Sequence, residues 1–209
     1  DEALKILLRV NRGGAAITTG GGKTLLGLLH MAANYNEFAT FLVVASKISI
    51  HKEWTAQAIK HGLGYLVDHM TFTTYLSLSK QDTQYDVVYL DECHSLLESH
   101  EPWLDSYKGN ILGLTGTKPR HTKSTKGRMV SKFCPILYEY KTDEAVKDKV
   151  INDYIIIIHM LSLDTRKNIL MHNKDKTKSW YSSEQAIYDY WTNRIEEAIS
   201  VKELQIMRV

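Results

Sequence analysis

Short runs of consecutive apolar residues recur along the chain, separated by stretches whose apolar positions fall three or four residues apart. Leu4, Leu7 and Leu8 follow helical spacing, and Asn11-Arg12-Gly13-Gly14 breaks that helix before the short apolar run Ala15-Ala16-Ile17. A helix is predicted from Lys23 to about Ala33. The run FLVVA at 41–45 has strand length and precedes a helix carrying Ile50, Trp54 and Ala58 at four-residue spacing. Residues 70–75 (MTFTTY) are rich in β-formers, and VVYL (87–90), ILGLT (111–115) and PILYEY (135–140) are further strand candidates. Apolar runs that are continuous, not alternating, belong to strands covered on both faces, so a parallel sheet between two helix layers is expected. There is no internal repeat and no low-complexity segment.

Chemistry in such sheets gathers beyond the carboxyl ends of the strands. Ile17 leads into TTGGGKT, Leu90 into DECH, and Leu114 into TGT. The first stretch ends like a phosphate loop, G-K-T, but Ile17 stands where the strict pattern has its opening glycine. In a phosphate loop the glycines let backbone N–H groups close around phosphate at the positive end of the following helix. Lys23 would reach the outer phosphates and the Thr24 hydroxyl would hold Mg²⁺. Asp91 has the position of a second magnesium-holding group, and Glu92 that of a group orienting or deprotonating water. Each stretch alone has a plainer reading, a flexible turn or a capped strand end; their joint occurrence in this order favours chemistry. Cys93-His94 is a weak zinc signal, because a structural zinc site needs four ligands and the chain holds two cysteines, Cys93 and Cys134.

Composition narrows the field modestly. The 209 residues are 44% hydrophobic and 24% charged, ordinary for a globular protein with one good core and a smaller appendage. The longest apolar run, at 154–161, is far short of the roughly 20 residues that span a bilayer, so no membrane partner is expected. No charged-then-apolar leader opens the sequence, and two cysteines make no disulfide framework; a cytoplasmic location is the expectation. The net charge of +2 identifies no partner, yet residues 106–138 contain no Asp or Glu while Lys108, Lys118, Arg120, Lys123, Lys126, Arg128 and Lys132 fall there. Such a run is either a solvated loop or a phosphate-contacting surface.

The series TTGGGKT, DECH and TGT resembles motifs I, II and III of the superfamily two (DEAD/DEAH-like) helicases, whose first motor lobe is a RecA-like parallel sheet with helices on both faces. That family commonly replaces the opening glycine of the phosphate loop by a small or apolar residue. The resemblance implies ATP and Mg²⁺ as cofactors, with Thr19, Gly20, Gly21, Gly22, Lys23 and Thr24 as the ATP cradle, Thr24 and Asp91 on the metal, and Lys23, Asp91 and Glu92 as catalytic groups. It also implies that His94, Thr115 and Thr117 couple phosphate state to lobe movement. FLVVASKISIHKEW resembles motif Ia and TFTTYLSL the next DNA-contacting motif, which implies nucleic-acid contacts from Ser46, Lys47, Thr74 and Tyr75; Trp54 reads more simply as a core residue. Lys123, Lys126 and Arg128 join the nucleic-acid set as the basic segment after motif III. The stretch from 135 to 164 is similar to the passage between lobes in UvsW-like phage DNA helicases.

The expected organisation is a RecA-like ATP-binding lobe over 1–149, then a linker and truncated beginning of a second lobe over 150–209. The family's upstream R-x-x-Q adenine element and its motifs IV to VI are not found within the 209 residues. The second segment carries Ile187, Trp191, Ile195 and Ile199 on one helical stripe, with Ser182 and Gln185 spaced as a capping box. The expected function is an ATP-dependent DNA helicase or translocase motor acting on single-stranded or branched duplex DNA, working with its own second lobe. A double-strand translocase that does not unwind, an RNA helicase, and a non-catalytic nucleotide- or nucleic-acid-binding lobe are the alternatives.

Overall fold

The computed structural model of the chain describes residues 2–119, 121, 124–152 and 162–197. They belong to two compact units, Asp1–Tyr154 and Ile155–Val209. The apolar run at 154–161, together with Arg120, Lys123 and Ile199, lies outside the described residues. Among the described residues no helix is long and apolar enough to cross a membrane.

The first unit runs α1 (Glu2–Leu7), β1 (Arg12–Ile17), α2 (Lys23–Ala33), β2 (Phe41–Ala45), α3 (Ser49–Lys60), β3 (Met70–Thr74), β4 (Val87–Asp91), α4 (Glu101–Ser106), β5 (Asn110–Thr115), α5 (Thr125–Phe133), β6 (Ile136–Tyr140) and α6 (Thr142–Lys147). The six strands form one sheet in the order β3-β2-β4-β5-β1-β6, with every pairing parallel. The expected α/β class with helices on both faces is what the chain adopts. The glycines of Asn11-Arg12-Gly13-Gly14, expected to lie before the strand, belong to β1 itself, where Gly14 pairs with Gly113 of β5.

Strand side chains alternate between the faces, and both faces are buried. Phe41, Val43, Val87, Tyr89, Leu112 and Leu114 enter one core with Leu7 of α1, Leu28 and Met31 of α2, and Trp54 and Ala58 of α3. Leu42, Val44, Val88, Leu90 and Ile111 enter the other with Leu104 of α4, Tyr107, and Met129 and Phe133 of α5. This double covering is why the strands read as unbroken apolar runs.

The second unit contains the antiparallel hairpin β7 (Ile169–His172) and β8 (Ser179–Ser182), followed by α7 (Glu184–Glu197). The capping box expected at Ser182 and Gln185 is shifted. Ser182 is taken by β8, where it pairs with Ile169, and the adjacent Ser183 caps the helix, its Oγ accepting the Ala186 N–H at 3.2 Å. Gln185 instead donates to Asp189 Oδ1, one helical turn on, at 2.7 Å.

A buried imidazole ties the first unit's helices to its sheet. His30 of α2 places Nδ1 2.9 Å from the Tyr89 hydroxyl of β4 and 3.3 Å from Asn34 Nδ2. An amide nitrogen only donates, so Nδ1 is the acceptor and the neutral ring is the form that fits. Burial pushes the His30 pKa down to about 4, against a smaller upward pull from the Leu7 backbone. The unfolded chain takes up this proton near pH 6.5 and the folded protein only near pH 4. Stability is therefore lost as pH falls through that window, by about 3 kcal/mol at its foot. Urea unfolding at pH 7, 5.5 and 4 is expected to give His30→Gln a shallower pH dependence than the parent, the curves diverging below pH 6.5. Parallel curves would remove the buried neutral imidazole as the cause.

Candidate functional site

The strand order places β4, β5 and β1 side by side. Their register sets Asp91 beside Leu114 and Ala16 beside Thr115. The three strands therefore end on one line, each about 4.8 Å from the next. The stretches separated by over 90 residues in sequence open onto this common edge.

After β1 the chain turns through residues 18–22 into α2. Gly20 and Gly22 hold φ values of +81° and +90°, which side-chain-bearing residues adopt only with strain. Gly22 stands at the N-cap of α2 without any side-chain hydrogen bond closing the helix end. The first-turn N–H groups of an 11-residue helix thus face the loop with no side chain capping them. Thr19, Gly20, Gly22, Lys23 and Thr24 line a cavity of about 480 Å³ together with Asp91 and Glu92. Its far wall is α3, through Ile50, Glu53, Gln57 and Lys60.

The two carboxylates at the end of β4 are treated differently by their surroundings. Asp91 is buried and accepts the Trp54 indole N–H on Oδ2 at 2.9 Å, while its backbone carbonyl accepts the Tyr75 hydroxyl at 2.9 Å. Burial pushes its pKa up, opposed by the Trp54 hydrogen bond and by the Lys23 charge. Glu92 has φ +52°, a left-handed conformation costing roughly 1–2 kcal/mol, which turns its side chain to the half-exposed rim. There Oε1 lies 3.2 Å from Lys23 Nζ, and Oε2 accepts the Gly116 N–H at 3.2 Å. Partial burial raises the Glu92 pKa, but the Gly116 N–H, the Lys23 charge and hydrogen bond, and His94 together outweigh it, so the net shift is downward.

The segment after β5 completes the arrangement. Thr115 Oγ1 lies 2.8 Å from His94 Nδ1 and 3.3 Å from Glu92 Oε2, and it accepts the Thr117 N–H at 3.0 Å. His94 Nδ1 is 3.3 Å from the same Glu92 oxygen. The residues expected to cradle phosphate, hold metal, move a proton and couple motion are thus brought to one place. The donors suit a hard cation shared with phosphate: a hydroxyl, Thr24, and a carboxylate, Asp91, on one cavity. Among the described residues no cluster of three His, Cys, Asp or Glu side chains could hold a metal alone, and Cys93 and Cys134 are buried and free.

The expected nucleic-acid residues are more scattered. Ser46 and Lys47 are exposed immediately after β2, and Thr74 is half-buried at the end of β3. Tyr75 does not fit a surface contact: it is buried, and its hydroxyl is committed to the Asp91 carbonyl. The basic segment is not one long loop, since its second half is α5. Arg128 on that helix pairs with Glu98, and Lys132 with Glu101 and Asp105 at 2.8 and 2.9 Å, whereas Lys126 is exposed. Lys123 lies outside the described residues. Sequence reasoning missed Trp54 as a partner of Asp91; its spacing from Ile50 and Ala58 marks only a buried stripe. It also missed the Gly116 N–H, a backbone group with no signature of its own.

No protein-family model matches the chain, and no curated protein matches it in sequence. Solved structures do resemble it. The UvsW helicase from bacteriophage T4 superposes with a TM-score of 0.55 at 19% identity, over 66% of this chain and 57% of that one. A second structure of T4 UvsW gives 0.51 at 16%, over 65% and 33%. A nuclease-deletion mutant of the Type ISP restriction-modification enzyme LlaGI, in complex with a DNA substrate mimic, gives 0.54 at 16%, over 71% and 20%. The present chain thus spans little more than half the length of the first of these and a fifth of the LlaGI chain. At such identities the likeness bears on architecture, and the six-stranded unit is a RecA-like α/β lobe.

Proposed function

We propose that the first unit is the ATP-binding lobe of a superfamily two nucleic-acid helicase or translocase, similar to the UvsW-like phage DNA helicases. The observation that carries this reading is the Lys23–Glu92 pair, 3.2 Å apart across the mouth of the loop–helix cavity. It joins the first residue of α2 to the residue after β4, beside a helix N-terminus open to an anion. In this reading the second unit is the beginning of a second lobe.

The phosphates of ATP would lie on the backbone of residues 19–24 and the N-terminus of α2. Mg²⁺, when bound, would be held by Thr24 and Asp91 and would neutralise charge on the transferring phosphate. Lys23 would leave Glu92 for the outer phosphates. Loss of that positive neighbour raises the proton affinity of Glu92, so the carboxylate becomes a better base when substrate is in place. Thr115 and His94 hold the other Glu92 oxygen and would pass a change at the phosphate to the segment after β5. Exposed Ser46, Lys47 and Lys126, with Thr74 at the sheet edge, are the proposed backbone contacts to DNA. The LlaGI structure, with its DNA mimic, supports a nucleic-acid partner of this kind.

Binding of a fluorescent ATP analogue to the 209-residue chain with Mg²⁺ tests the site. Lys23→Ala is expected to weaken binding at least about 10-fold, while Glu92→Gln retains affinity near the parent's. With the second lobe supplied, Glu92→Gln should lower DNA-stimulated turnover by about 10²–10⁴-fold. An unchanged Lys23→Ala affinity would remove the phosphate-loop assignment; normal turnover by Glu92→Gln would remove the base.

The DNA-binding residues make a separate prediction. Exchanging Lys47 and Lys126 for Ala should weaken binding to unrelated DNA sequences about equally. The dependence of log affinity on log salt should flatten by roughly 0.7–0.9 for each phosphate that a lysine no longer neutralises. Arg128→Ala should do less, because Glu98 already compensates that charge. Salt titrations by fluorescence anisotropy with DNA and RNA oligonucleotides also distinguish the two partners. A double variant with the parent's slope would leave these lysines as solvated surface.

A further inference from the structure

Among the described residues outside the three strand-end motifs, Trp54 is the side chain whose polar atom reaches the metal-side carboxylate. It sits on α3 with no exposed surface, and its Nε1 donates to Asp91 Oδ2 at 2.9 Å. The ring is wedged against three further elements. Its Cη2 lies 2.6 Å from where a Cβ on Gly27 of α2 would stand, and Leu114 Cδ1 of β5 closes on the same point at 3.0 Å. Tyr89 of β4 meets the indole edge-on at 6.1 Å. Gly27 is thus an absence of side chain that Trp54 fills, and the indole is fixed by the helix that follows the phosphate loop.

The consequence concerns the orientation of a carboxylate. An Asp side chain turns freely about its last bond, and a metal ligand that turns binds weakly. A donor locked on Oδ2 holds the plane of a carboxylate that lines the cavity, as outer hydrogen bonds do for ligands in metal sites. The same donor favours the ionised carboxylate against the burial that opposes it.

We propose that Trp54 is a positioning residue for divalent-cation binding: its indole N–H fixes Asp91 in the orientation that receives Mg²⁺ with the nucleotide. The inference rests on the ATP-site reading and adds to it a residue outside the three motifs. It also gives α3 a second task, because the same helix begins just beyond Ser46 and Lys47. A nucleic acid held there would sit within two helical turns of the group that orients the metal ligand.

The test separates metal binding from nucleotide binding and from folding. Affinity for a fluorescent ATP analogue is measured with the 209-residue chain in EDTA and across a Mg²⁺ titration. Trp54→Phe should leave the EDTA affinity within about twofold of the parent and raise the half-saturating Mg²⁺ about 10-fold, within the range that removal of an outer hydrogen bond produces. Because Phe is smaller than Trp, a second variant carries β-(3-benzothienyl)alanine at 54, which keeps the ring shape and lacks the N–H. It should show the same Mg²⁺ shift with the parent's melting temperature. Equal weakening with and without Mg²⁺, or a parent-like Mg²⁺ titration for the benzothienyl protein, would make Trp54 a packing residue and overturn the proposal. A parent that binds no nucleotide, or a Lys23→Ala variant that binds normally, would bring down the ATP-site reading and this inference together. A metal-specific shift beside a nucleotide-binding parent supports both.

Discussion

The parallel register of β4, β5 and β1 is the constraint on which the site depends. Backbone pairing aligns Asp91 with Leu114 and Thr115 with Ala16, so the three strands end level. Side chains alternate by face along each strand. A slip of one residue in β4 would carry Asp91 from the face it shares with Tyr89 and Trp54 to the face of Leu90 and Leu104. Such a slip would also expose or misplace every apolar residue of the strand. The force that holds the register is thus hydrophobic burial on two faces, and the chemical groups inherit their positions from it.

At that edge the protein keeps two adjacent carboxylates in contrasting states. Asp91 remains with the strand, is buried, and meets an indole donor. Glu92 leaves the strand through a left-handed turn and reaches a lysine, a backbone N–H and a histidine at the rim. Burial dominates the first pKa and raises it; hydrogen bonds and charge dominate the second and lower it. Neighbouring carboxylates are thereby driven apart in proton affinity, because one is taken into the core and the other is turned out to a cation and a backbone donor. The left-handed turn at Glu92 is therefore a local cost that separates the two environments by a single residue.

Much of this was legible in the sequence. Continuous apolar runs such as FLVVA and VVYL cannot alternate between core and water, so they announced a sheet covered twice, and the polar stretches after three of the runs marked the edge. The unread parts depend on contacts the chain makes across long separations. Nothing local distinguishes a Trp that only packs from one that packs and donates to a carboxylate 37 residues away. The resemblance implied a nucleic-acid contact from Tyr75, yet the ring is buried and the Asp91 backbone carbonyl claims its hydroxyl. At α7, Ser182 and Ser183 offer the same cap in sequence; hairpin pairing consumes the first and leaves the second.

The charge distribution shows the same limit in another form. Residues 106–138 carry only cations, but Glu98, Glu101 and Asp105 lie just before them in sequence, and folding sets α5 against that acidic segment. Arg128 and Lys132 are thereby paired, and Lys118 meets Glu139 from the strand that follows. These are exposed pairs, each worth little to stability, yet they compensate three of the seven cations that the linear sequence sets in one run. Among the described residues, Lys47 near the strand ends and Lys126 on α5 stay exposed without such ion pairs. A run of like charges in sequence is thus not a run of like charges in the fold once its acidic neighbours pack against it.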